Sequence, residues 1–72
     1  MKKTIIQLDK QIIKELGKRN TAVYERDGNW VVEVPEDNKD DAEEIIEEAG
    51  WKIVEKEWFS GSSYDGYAFT IK

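Results

Sequence analysis

Apolar residues recur along this chain with two different periods, and the switches between them mark out its elements. Thr4-Ile5-Ile6-Gln7-Leu8 is short, rich in β-branched residues, and ends at Asp9. Two readings compete for it. Thr4 and Gln7 have the spacing of a capping box, which would start a helix at Ile5 and carry it to Arg19. On that helix Asp9 falls between Ile13 and Leu16, inside the apolar arc, where a carboxylate loses its water. Taken as a strand, residues 4–8 leave Asp9 free to cap a helix over residues 10–19, where its charge suits the helix dipole. The strand is the reading adopted, with Ile12, Ile13 and Leu16 facing inward.

Residues 21–26 and 30–34 read as strands joined by Asp27-Gly28, a pair suited to a tight turn with positive φ at both central positions. Trp30, Val32 and Val34 alternate onto one face, with Val31 and Glu33 on the other. Pro35 removes an amide donor and ends the ladder. Asp37 or Asn38 then caps a second helix ending near Ala49, with Gly50 placed for its last turn. Ala42, Ile45, Ile46 and Ala49 form its inner face. Residues 51–59 and 66–72 are the remaining strands, the last placing Tyr67, Phe69 and Ile71 inward. Ser60-Gly61-Ser62-Ser63-Tyr64-Asp65 connects them.

A repeat organises these elements. Ile12-Ile13-Lys14-Glu15-Leu16-Gly17 and Ile45-Ile46-Glu47-Glu48-Ala49-Gly50 match at a spacing of thirty-three. With a strand before and after each helix, this is a βαβ unit written twice. The fold class expected is α+β: a ferredoxin-like βαββαβ two-layer sandwich with an added C-terminal strand and both helices on one face. A helical N-terminal segment gives instead the circularly permuted order αββαββ. Either way, residues 1–72 are expected to form one domain.

Composition narrows the chemistry. The chain has no Cys, which excludes a disulfide framework, a thiolate metal site and a cysteine nucleophile. It has no His, which removes the commonest general base. Ser60, Ser62 and Ser63 therefore lack an activating partner, and no enzyme and no cofactor are expected. Asp37-Asn38-Lys39-Asp40-Asp41 sets a Lys among its acids and lacks the glycine of a calcium loop, so no dedicated metal site is expected. The Ser60–Asp65 loop lacks the lysine and following helix of a phosphate loop. No apolar run reaches the length of a membrane span, and Met1-Lys2-Lys3 is not followed by a signal-peptide core. The expectation is a cytoplasmic protein.

Charge is the unusual feature. Residues 36–48 hold eight acids and one base, while residues 1–20 hold six bases and two acids. The plain reading is a pair of solvated helix faces that attract one another across the sheet. The alternative is a partner-facing surface formed by Asp40, Asp41, Glu43, Glu44, Glu47 and Glu48, imitating the phosphates of nucleic acid. In size and charge the chain is similar to small phage-borne inhibitors of nucleases and restriction systems. Trp58 and Tyr64 are the further partner-binding candidates, as aromatics on a strand and in a loop. Lys52, Val54, Lys56 and Trp58 are expected on one strand face, opposite Trp51 and Ile53, which leaves an RNA-binding sheet as a minor alternative. The run Lys3-Thr4-Ile5-Ile6-Gln7-Leu8-Asp9 also resembles the first strand and helix start of ribbon-helix-helix repressors. That likeness covers the first twenty or so residues, and DNA binding is not carried across with it. The expected function is a non-catalytic protein-interaction or regulatory domain. Its partner is another protein or a second copy docked on an open sheet face, rather than nucleic acid.

Overall fold

The computed structural model describes residues 2–61 and 63–72, so Ser62 lies outside the described residues. The architecture is α+β. Helix α1 (Ile5–Leu16) is followed by β1 (Ala22–Arg26), β2 (Asn29–Pro35), a single 3-10 turn (Glu36–Asn38), α2 (Lys39–Glu48), β3 (Ile53–Ser60) and β4 (Asp65–Ile71).

The opening segment is helix, not strand. Thr4 Oγ1 accepts from the Gln7 amide at 3.2 Å and Gln7 Oε1 accepts from the Thr4 amide at 2.9 Å, closing the capping box. The conflict expected at Asp9 does not arise, because the buried stripe is rotated. Leu8 and Ile12 are fully buried, with Ile5 and Leu16 packed beside them. Asp9 and Ile13 lie half-exposed at its margins, so the carboxylate keeps its water. Ile6 is left 65% exposed as the consequence. The strand of the ribbon-helix-helix resemblance is therefore absent, and so is the fifth strand that it would have added. The repeat survives with a new phase: the unit is αββ rather than βαβ. Gly17 and Gly50, its matching glycines, both have φ of +88°.

One antiparallel sheet has the strand order β1-β2-β4-β3. Asp27 and Gly28 make the β1–β2 turn with φ of 54° and 83°, both left-handed as a tight hairpin requires. Val32 and Val34 of β2 and Phe69 and Ile71 of β4 meet Leu8, Ile12, Ala42, Ile45, Ile46 and Ala49 in one core cluster. Both helices thus cover the same side of the sheet. The start of α1 is tied to the far end of α2. The Lys3 amide donates to the Ala49 carbonyl and the Trp51 indole donates to the Lys3 carbonyl, both at 2.8 Å. The Lys2 ammonium lies 3.9 Å above the Trp51 ring.

Among the described residues no helix covers the other side of the sheet, yet its centre is dry: Val31 is fully buried and Ala68 and Thr70 nearly so. Val31, Ala68 and Thr70 occupy the central strands there beside Glu33, and long side chains reach inward from the edges. Tyr24 donates to Glu33 at 2.5 Å. Arg26 on β1 and Glu57 on β3 approach to 3.9 Å although their strands are opposite edges of the sheet, so the sheet curls toward this side. Phe59 lies over Gly66, where an added Cβ would meet its ring at 2.9 Å. This is the open sheet face expected to receive a second copy, and its centre is already covered by the sheet's own side chains.

Candidate functional site

The acidic surface is built on α2. Its apolar stripe of Ala42, Ile45 and Ile46 is buried, and that orientation turns its acids outward. They fall into two rows. Asp41, Glu44 and Glu48 flank a groove of about 310 Å³ between the helices, bordered across from them by Glu15 and Leu16 of α1. Asp40, Glu43 and Glu47 follow the side toward β3, where Glu43 and Glu47 line a cleft of about 530 Å³ with Trp51, Lys52, Ile53 and Lys56. The six acids proposed from the sequence are thus brought together on one helix.

They are not equivalent. Glu43 is mostly covered and receives the Lys56 ammonium at 2.5 Å and the Lys39 ammonium at 3.5 Å. The Lys56 hydrogen bond holds the Glu43 carboxyl below its ordinary pKa, with the charges of Lys56 and Lys39 acting in the same direction against desolvation. Desolvation lowers the Lys39 pKa, but the charge and hydrogen bond of Glu43 and the charge of Asp40 outweigh it, leaving the ammonium above its usual range. Lys39 also lies 5.5 Å from the Tyr67 ring centroid. Asp40 pairs with Lys39 at 3.6 Å. Glu43 is therefore a structural link between α2 and β3. Asp41, Glu44, Glu47 and Glu48 form no ion pair among the described residues, and no ion pair there joins α1 to α2. Lys3, Lys10 and Lys14 line a separate surface with Gln7 and Gln11. The attraction expected between the two helices is not realised as contacts.

The two aromatic candidates lie elsewhere. Trp58 is 52% exposed, opposite Tyr67 on the helix side of the edge strand β3. Tyr64 packs edge-on against Phe59, with ring centroids 5.7 Å apart. Phe59 belongs to the other side of the sheet, so Tyr64 does not join the acidic rows. The expected grouping on β3 also changes. A bulge between Ile53 and Glu55 inserts one residue, and Ile53 then shares its face with Lys56 and Trp58 rather than opposing them. Sequence reasoning missed the Lys56–Glu43 link, which joins a strand to a helix and leaves no local signal; spacing on α2 marks only the i,i+4 pair Lys39–Glu43.

No helix among the described residues is long and apolar enough to cross a membrane. No protein-family model, curated protein or solved structure matches the chain significantly. The functional reading therefore rests on this geometry.

Proposed function

We propose that the chain is a small, acidic, non-catalytic interaction domain whose working surface is the exposed side of α2 and whose partner is a protein presenting basic surface. The observation that carries this is the position of Glu47 and Glu48. They lie in the last turn of α2, which contains no base. There the helix dipole disfavours negative charge, by roughly 0.3–1 kcal/mol for each residue. Asp40 and Asp41, in the first turn, need no such explanation. Acids that oppose the dipole and pair with no cation among the described residues do nothing evident for the fold, and a basic partner is what would reward them.

The two rows support a narrower version of this reading, in which α2 stands in for the phosphates of a nucleic acid and occupies a basic groove. Pull-down from cell lysate at low and high salt tests both versions. A basic DNA-handling protein is expected at low salt, released at high salt. The triple variant Glu44→Lys, Glu47→Lys, Glu48→Lys, with Glu43 kept for the fold, is expected to lose it at unchanged circular dichroism. Retention by that variant removes α2 as the surface. RNA binding through β3 has the weakest support, since Lys56 is tied to Glu43 and Lys52 shares its cleft with two acids.

We infer in addition that the architecture is a circular permutant of the ferredoxin-like fold. Moving the first strand of a split βαββαβ unit to the end of the chain turns its sheet into the order β1-β2-β4-β3 with both helices still on one side. We place the protein in the cytoplasm, where a chain without cysteine needs no oxidising environment to fold.

A further inference from the structure

The three exposed large apolar side chains of the described residues are Ile6, Val54 and Trp58, and two of them belong to β3. That strand is an edge of the sheet and, at eight residues, its longest strand. Edge strands present unpaired peptide groups, which proteins usually guard with charge, bulges or shortness. The other edge, β1, has five residues and is guarded in that way. β3 carries its bulge at Ile53/Glu55, which leaves the stretch beyond it regular. Lys56 and Glu57 would guard that stretch, but Glu43 draws the ammonium onto α2 and Arg26 draws the carboxylate toward the other side of the sheet.

The hydrogen-bonding parity shows which groups are free. Lys52 and Lys72 exchange both backbone bonds at 2.9 Å, and the Gly61 amide donates to the Tyr64 carbonyl at the other end of the pair. With the register between them, Glu55, Glu57 and Phe59 bond to β4. The peptide groups of Lys56, Trp58 and Ser60 therefore point away from the sheet. We propose that this edge pairs with the same edge of a second copy, antiparallel, about a two-fold axis passing beside Trp58. Charge selects the register. An axis at Lys56 sets Lys56 against Lys56, and an axis at Glu57 sets Glu57 against Glu57. With the axis at Trp58, Lys56 faces Ser60, Glu57 faces Phe59, and the two indoles meet across the seam. Each outward peptide group from Lys56 to Ser60 finds a partner, and the exposed indole is covered. The interface is small, which makes the dimer weak and concentration-dependent.

This dimer does not require α2 to bind anything, and its salt dependence has the opposite sign. Each copy carries a formal charge of -5, and the axis sets the two acidic helices on the same side of the joined sheet. Added salt screens their repulsion and strengthens the dimer, whereas it weakens attraction to a basic partner. Sedimentation equilibrium of the full chain from about 1 μM to about 1 mM spans weak interfaces of this kind. The weight-average mass is expected to climb from 8.4 kDa toward twice that value, earlier in high salt. Trp58→Lys is expected to stay monomeric throughout with unchanged circular dichroism. The chain has no Cys, so Trp58→Cys should link covalently on mild oxidation, because directly opposed hydrogen-bonded residues lie about 5.5 Å apart, within disulfide reach. Glu25→Cys, on the β1 edge, should not. A strictly monomeric wild type, a dimer that persists in Trp58→Lys, or linkage through Glu25→Cys as fast as through Trp58→Cys overturns the proposal.

Discussion

Gly66 shows how little room a single position leaves in so thin a molecule. A methyl group there would lie 2.4 Å from the Val34 carbonyl oxygen and 2.9 Å from the Phe59 ring. The ring can swing away, but the carbonyl belongs to the neighbouring strand of the central β2–β4 pair and cannot. Gly66→Ala is therefore expected to destabilise the fold by roughly 1–3 kcal/mol, the usual range for overpacking, as read from the urea midpoint. Glu43 makes the electrostatic counterpart. Its folded pKa lies below the unfolded one, with the Lys56 hydrogen bond as the chief cause. The stabilisation it contributes is complete above the ordinary carboxylate range and is lost as pH falls through the depressed folded value. Glu43→Gln should flatten the acid limb of the stability curve and change stability at neutral pH by about 1 kcal/mol or less, because the partner Lys56 is half-exposed. An acid limb as steep in the variant as in the wild type would assign that pH dependence to other carboxylates.

At the scale of elements, the N-terminal helix depends on its cap. Thr4→Ala removes the acceptor for the Gln7 amide, and such losses cost about 0.5–2 kcal/mol. The expected result is a lowered thermal midpoint and faster amide exchange in the first turn of α1, with the sheet amides little changed. Much of the fold was legible from local pattern. Asp27-Gly28, the stripe Ala42, Ile45, Ile46, Ala49 and the alternation of Trp30, Val32 and Val34 each decide their own geometry. Residues 4–8 were not legible in that way, because their β-branched composition and their capping spacing point to different structures. The choice was settled by rotation of the helix about Leu8 and Ile12, which only packing against the sheet determines. The bulge in β3 was invisible for a similar reason: an inserted residue leaves no mark on alternation when Val54, Glu55, Lys56 and Glu57 are all exposed. Of the candidate surface, the acids were legible as a cluster. Their division into one structural link (Glu43), a local partner of Lys39 (Asp40) and four carboxylates unpaired among the described residues depends on Lys39 and on Lys56, the latter distant in sequence.

For the molecule as a whole, the question is whether the acidity of α2 serves the fold or something outside it, and the two alternatives differ in sign. If Glu47 and Glu48 were part of the structural design, replacing them would weaken it. They stand instead at the negative end of a helix, in the most acidic stretch of a chain with net charge -5, and without a counter-ion among the described residues. Glu47→Lys and Glu48→Lys each reverse an unfavourable interaction with the helix terminus and reduce repulsion from the remaining acids. Each should therefore stabilise the protein by roughly 0.3–1 kcal/mol at low ionic strength. The gain should shrink as salt screens the surface, which thermal unfolding at two ionic strengths resolves. The same substitutions should weaken capture of a basic partner. A protein that becomes more stable while losing its partner has given up function for stability, the exchange expected when charge is kept for binding. Loss of stability in both variants would instead return these acids to the fold and leave α2 as an ordinary solvated helix.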